Sequence, residues 1–479
     1  MTPGDLAALS ATEIVALVKS RQISPVEVVK ASLDRLERCN PILNAVVTLN
    51  EKAIEDARSL EASIKSDSDT HGLCGVPVGI KDLTPVAGLR TTYGSPIFSD
   101  HIPTEDAIIV QRLRSEGAII VGKTNTPEFG AGASTFNEVF GRTRNPWNPE
   151  RTSGGSTGGG AAALASGMIG IAEGSDLGGS LRIPASFCGL VGLRPSPGLV
   201  PTHPTEWLWD ELSVNGPMAR TAEDVALALQ VMAGSDPRSP RSQSIQGRDF
   251  SSGIREVQID GLRLGYCPDV AGLGIDPEIA EVCHSTALGI ETGGADVEQI
   301  EVDLSEARKA FLHLRGVWMV THMRGLMDRI DELGDNVRGN VEAGLRVTSE
   351  QIAWAHGVRD QIWMFFRHFF ERYDFLLTPS MAVSPFPVEQ NYPKAIAGRP
   401  MKTYVDWFAP TFTLSLTGLP IASVPCGLDD QGLPVGLQIV GPPAGEEKVL
   451  GLCARIQEMC PIGYPDLAAI DRFTMAQTD

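Results

Sequence analysis

Apolar residues fall at helical spacing near the start of the chain. In "VEVVKASLDRLERC", residues 26–39, they recur every three or four positions, the mark of a helix with one buried face. Ser10 with Glu13 and Ser24 with Glu27 form capping-box pairs, and Pro25 sits where a first helical residue tolerates proline. Residues 1–66 therefore read as a helical arm, followed by a polar surface loop, "SIKSDSDTHG". From residue 74 the period changes. Short apolar runs ("VPVGIKDL", "AIIVGKTN", "MIGIAEGSD") alternate with helical stretches ("DAIIVQRLRSEG", "TAEDVALALQVMAG"). That alternation predicts an α/β fold with a central mixed, largely parallel sheet covered by helices on both faces. Residues 235–260 form a Pro/Ser/Arg-rich break, and 260–372 reads as a helical insertion containing Trp318, Trp354 and Trp363. Strand texture returns at "YDFLLTP". "IASVPCGLDDQGLPVGLQIVG" reads as two strands joined by an Asp/Gly turn. These last strands have no core of their own. A single domain is expected over 1–479, with its core in 72–234 and 373–475.

Composition narrows the classes of function. The 479 residues are 42% hydrophobic and 21% charged, as in a globular protein with a sizeable core. A net charge of −19 argues against nucleic acid or an anionic membrane as partner. No apolar run reaches the roughly 18 residues of a membrane span, and the start lacks the pattern of a signal peptide. The eight cysteines show no C-x-x-C pair and no zinc spacing, so they read as buried thiols of a cytoplasmic protein.

The chemistry centres on "TSGGSTGGGAAALASG", residues 152–167. A phosphate loop requires a lysine that this stretch lacks. A nucleophile elbow, which "GGSTG" matches in letters, must follow a strand, but "TRNPWNPERT" precedes it. That fold also needs a late histidine, and none follows His368. A plain glycine loop remains the bland alternative. Against it stands a second glycine–serine turn, "GSDLGGSLRIPAS", which carries Ser180. Two such turns can bring two hydroxyls together beside bare backbone N–H groups, the donors an oxyanion needs. A serine hydroxyl also needs a base. The candidate is Lys81, which follows Val76, Val78 and Ile80 in an apolar strand; its alternative role is a strand-end lysine reaching solvent or Asp82.

Taken together, "GVPVGIKD", "GGSTGGGAAALASG" and "GSDLGGSLRIPASFCGLVGLRPS" resemble the signature of the amidase signature family. The similarity extends through "GKTNTPEFGAGAST" and "LTGLPIASVPCGLDDQGLPVGLQIVGPP", and within 260–372 it is general only. The resemblance implies a Ser–cis-Ser–Lys triad: Ser180 as nucleophile, Ser156 as bridge after a cis peptide bond from Gly155, and Lys81 as base. It further implies an oxyanion hole from the N–H groups of Leu177, Gly178, Gly179 and Ser180. Thr157, Asp176 and Arg182 would support the loops. Thr157 stands where many members have serine, and Leu177 where Thr or Ile is commoner; neither change disturbs the triad.

An amide hydrolase working through an acyl-enzyme is the implied activity, with water and a small-molecule amide as reactants. The same tetrahedral chemistry would serve esters and carbamates. No metal or organic cofactor is expected. Aromatic residues in segments that vary among members, Phe129, Trp207, Trp209, Trp318 and Trp407, are candidates for a pocket suited to small or aryl amides. Core packing is the competing role for each. The runner-up function is the glutaminase subunit of a tRNA-dependent amidotransferase, for which "THPTEWLWDELSVNGP" looks too apolar. A homodimer is common among the relatives to which the resemblance points, although no interface is legible in this chain.

Overall fold

The computed structural model describes residues 2–64 and 72–478. Residues 65–71, the middle of the stretch read as a polar loop, lie outside the described residues. The two capping boxes form as expected. Ser10 starts the helix Ala11–Lys19, and Ser24 starts Pro25–Leu43, each hydroxyl accepting from the N3 backbone while the N3 glutamate reaches back.

One eleven-stranded sheet carries the fold. Its strands in chain order are β1 (Val46–Leu49), β2 (Pro77–Lys81), β3 (Ile119–Thr124), β4 (Ile171–Asp176), β5 (Val191–Arg194) and β6 (Val214–Ala219). Then follow β7 (Arg263–Tyr266), β8 (Asp296–Gln299), β9 (Phe375–Pro379), β10 (Ile421–Leu428) and β11 (Pro434–Val440). Across the sheet they run β1-β3-β2-β4-β6-β5-β10-β11-β9-β7-β8. The sheet is mixed as expected, with one correction to its balance. Parallel pairing is confined to β3–β2–β4 and β9–β7–β8, and every other neighbouring pair in it is antiparallel. Apolar runs of strands buried on both faces read alike in either orientation, so the alternation with helices overstated the parallel share. The stretch 260–372 is mostly helical but also supplies β7 and β8.

Period-two alternation sends successive side chains of several strands into different cores. Ile120, Ile171, Leu377 and Ile439 face one cluster with the helices Ala222–Met232 and Glu446–Met459. Val121 and Ala172 face the opposite side, with Gly158–Ala165 and Pro25–Leu43. Leu376 and Val440 also alternate away from the first cluster, into a third one with Phe311, Phe366 and Trp407. The parallel group β3–β2–β4 brings its carboxyl ends, Thr124, Lys81 and Asp176, to one edge of the sheet. The loops that leave this edge build the site, where ligands of parallel sheets gather.

Candidate active site

Two glycine-rich turns meet above that edge. The first runs into the helix Gly158–Ala165, whose start threads between backbones. A Cβ on Gly159 would lie 2.2 Å from Asn125 N and 2.5 Å from Ala45 O, which only glycine permits. The Gly155–Ser156 peptide is cis. The second turn leaves β4 and enters the helix Arg182–Cys188. Gly179 there has φ +121°, and a Cβ would lie 2.3 Å from Thr411 Oγ1. Thr157 N donates to Ser180 O at 3.2 Å, which ties the two turns together.

Lys81 ends β2 with its side chain fully buried. Its Nζ lies 2.7 Å from Ser156 Oγ, 3.0 Å from Thr157 Oγ1 and 3.1 Å from Ser175 Oγ. Burial lowers the amine from its ordinary 10.5 to about 7, against the opposing pull of Glu173 and Asp176. A neutral amine has two N–H donors and one lone pair, so three hydroxyl neighbours satisfy it completely. Ser156, Ser175, Leu177 and Ser180 line a cavity of about 560 Å³. The geometry thus unites the three residues singled out in the sequence, Lys81 and Ser156 in direct contact and Ser156 with Ser180 on one cavity floor.

The N–H groups of Leu177, Gly178 and Ser180 find no acceptor among the described residues. Gly179 departs from the expected set. Its N–H donates to Asp176 Oδ1 at 2.8 Å, so three of the four N–H groups expected as donors are without a protein acceptor. Asp176 and Arg182 are wholly buried. Arg182 Nε and Nη2 donate to the Asp176 carboxylate at 3.1 and 3.0 Å, and Arg182 also reaches Thr411 O, Gln438 Oε1 and Ser415 Oγ. Burial alone would push the Asp176 carboxyl up, but Arg182 and Arg194 hold it well below the usual carboxylate range.

Several members of the site were not legible in the sequence. Arg194, 18 residues after Asp176, completes the buried ion cluster at 3.3 Å. Glu173, paired across the strands with Ile80, accepts from Lys81 N at 3.1 Å, Thr84 Oγ1 at 2.9 Å and Asn215 Nδ2 at 3.3 Å. Burial pushes its carboxyl up. A second buried lysine, Lys123 on β3, donates to Thr84 O and Thr91 Oγ1, and burial lowers it to about 8. A signal was present: three ionisable residues inside apolar strands of one parallel group.

The candidate pocket residues separate. Phe129 lines the cavity with Tyr93 and Phe98, the Tyr93 ring 5.1 Å from Phe98 and 6.2 Å from Phe129. Trp318 also lines the cavity, stacked on His322 at 3.8 Å. Trp207 lines a small neighbouring cavity of about 80 Å³ that shares Trp318 and His322. Trp209 and Trp407 do not belong to the cavity lining. Trp209 is 65% exposed at the tip of its loop, and Trp407 is fully buried against Phe187 and Phe386. For Trp407 the competing role, core packing, is the one observed. Among the described residues no group of three His, Cys, Asp or Glu side chains could hold a metal, and no helix is long and apolar enough to cross a membrane.

A family model described as Amidase matches residues 27–450. An acylamidase from Rhodococcus erythropolis is 35% identical over 96% of this chain and 97% of its own length. A glutamyl-tRNA(Gln) amidotransferase subunit from Carboxydothermus hydrogenoformans is 36% identical over 92% of this chain and 95% of its own. Among solved structures, a bacterial aryl acylamidase of the amidase signature family superposes with a TM-score of 0.88 at 30% identity, covering 97% of this chain and 98% of that one. With two glycine turns on a shared floor and relatives matched end to end, the chain belongs to the amidase signature family and is an amide hydrolase.

Proposed function

We propose that the chain hydrolyses the C–N bond of small or aryl carboxylic amides through Ser180, bridged by Ser156 to neutral Lys81. The observation that carries this reading is the 2.7 Å contact between Lys81 Nζ and Ser156 Oγ beneath a cavity that Ser180 also lines. A free lysine is neutral in about one copy in 2,500 at pH 7, whereas an amine titrating near 7 is neutral in about half. Neutral Lys81 takes the Ser156 proton as Ser156 takes that of Ser180. The Ser180 oxygen bonds to the amide carbon, and the carbonyl becomes an oxyanion held by the N–H groups of Leu177, Gly178 and Ser180. Each such donor contributes about 3 kcal/mol where comparable donors have been removed. The tetrahedral adduct collapses by breaking the C–N bond, and Ser156 returns the proton to the departing nitrogen. Water then repeats the sequence on the acyl-Ser180 ester and releases the carboxylic acid. Esters and carbamates meet the same steps as side activities.

The aromatic lining, Tyr93, Phe98, Phe129 and Trp318, favours apolar or aryl groups. The similarity to an acylamidase and an aryl acylamidase supports the same class. A second reading, the glutaminase component of an amidotransferase, is favoured by the 36% identity to a protein of that kind. The test is a hydrolysis panel of aryl amides, aliphatic amides, carbamates, esters and glutamine, with the Ser180→Ala protein as blank. Cleavage of an anilide by the isolated chain without ammonia release from glutamine supports the first reading. Glutamine as the sole substrate overturns it.

A further inference from the structure

Arg315 lies on the helix Ala307–His322, one turn after Phe311. The Phe311 ring stacks on Phe412 at 4.4 Å and would lie 3.0 Å from a Cβ on Gly178, so the helix packs directly behind the second glycine turn. Arg315 lines the cavity and is 5% exposed. Its guanidinium donates to the Asn340 side-chain oxygen and, at 2.7 Å, to Tyr404 Oη, and it sits 5.6 Å above the Tyr404 ring. All these partners are neutral. Among the described residues no carboxylate lies within ion-pair distance of Arg315. Glu206, also on the cavity wall, pairs with Arg324 at 2.9 Å. Glu211 pairs with Arg359 at 2.6 Å, Asp406 pairs with Arg308, and Asp210 accepts from Trp318 Nε1 at 2.6 Å.

An arginine keeps its proton in a protein, and a buried cation without a counter-charge is unfavourable. Five N–H donors meet two protein acceptors, so donors remain for a cavity occupant. We propose that Arg315 is a carboxylate subsite and that the substrates are amides bearing a carboxylate a few bonds from the scissile carbonyl. This inference rests on the amidase reading above. Arg315 shares the cavity with Leu177 and Ser180 and follows, by one helical turn of about 5.4 Å, the residue packed on the oxyanion turn, which favours a short span between the two groups. The acyl part carries the carboxylate toward Arg315, as in the N-aryl monoamide of a short dicarboxylic acid. The aryl amine lies against Tyr93, Phe98 and Phe129.

The test compares two ligands of like shape, the mono-4-nitroanilide of succinic acid and the uncharged 4-nitroanilide of 4-methylpentanoic acid. Calorimetric titration into Ser180→Ala protein reads binding without turnover. The charged anilide is expected to bind at least about tenfold tighter, a charge-assisted guanidinium–carboxylate contrast. Adding Arg315→Met should erase the preference, and Arg315→Lys should keep part of it. Equal or weaker binding of the charged anilide overturns the subsite without need of any Arg315 variant. So does a preference that survives in folded Arg315→Met protein. Turnover by the unmutated chain judges the amidase reading separately. Cleavage of neither anilide despite preferential binding of the charged one sinks that reading and leaves the subsite standing.

Discussion

Lys81 and Glu173 lie on adjacent strands, and the second tunes the first. Burial drives the amine toward neutrality while the Glu173 carboxylate, followed by Asp176, draws its pKa back up. Since only the neutral amine accepts a proton, kcat/KM is expected to rise with pH through about 7 and then level. Glu173→Gln removes a charge that favours the ammonium, so the acid limb should move to lower pH. An unmoved limb in a protein of normal Tm would show that Glu173 does not tune the amine. Lys81→Ala removes the proposed base, and a drop in kcat of about 10²- to 10⁴-fold is expected near neutral pH. A loss of only a few-fold would take the lysine out of the mechanism. Lys81 was legible in the sequence because a lysine in an apolar strand is conspicuous. Glu173 was equally conspicuous by that measure, but nothing in one-dimensional spacing says that β4 pairs with β2, so its contact with Lys81 N was not legible.

The turns and helices of the site depend on glycine where chains touch. At Gly159 the obstructing atoms are backbone, Asn125 N and Ala45 O, so nothing can swing aside. Gly159→Ala should therefore lower stability by about 1–3 kcal/mol or more, read as a fall in Tm. Gly179→Ala meets both a positive φ and Thr411, whose hydroxyl donates to Gly178 O at 2.7 Å. There kcat should fall more than stability, because the proposed oxyanion donors of Leu177, Gly178 and Ser180 move with the turn. Equal kcat in folded Gly179→Ala protein would contradict that placement. At this scale the sequence was informative about existence and poor about partnership. The capping boxes at Ser10 and Ser24 and the strand around Lys81 are local signals, and they appear where expected. Which tryptophan reaches the cavity is decided by packing from distant segments, so Trp318 and Trp407 look alike in sequence and end in different places.

Across the whole molecule, buried charge links stability to pH in two windows. Asp176 has its folded pKa depressed below an unfolded value of about 3.9, so its contribution is complete above that pH and is lost as pH falls below it. Lys81 acts oppositely to an ordinary ion-paired lysine. Its folded pKa near 7 lies below its unfolded value near 10.5, so the unfolded chain holds the extra proton between them, and stability rises with pH across that window. Asp176→Asn strands Arg182 and Arg194 as a buried, uncompensated pair, and about 3–5 kcal/mol of stability should be lost in urea unfolding. A loss under about 1 kcal/mol would mean the two guanidiniums find other partners.

The central claim, that Ser180 attacks and Lys81 activates it through Ser156, is tested most directly by trapping the nucleophile. The chain is treated with a fluorophosphonate, digested, and mapped by mass spectrometry, in unmutated and Lys81→Ala forms. A single adduct on Ser180, formed far more slowly without Lys81, is the predicted result. An adduct on Ser156 or on any other residue, or labelling at an undiminished rate in Lys81→Ala protein, would contradict it.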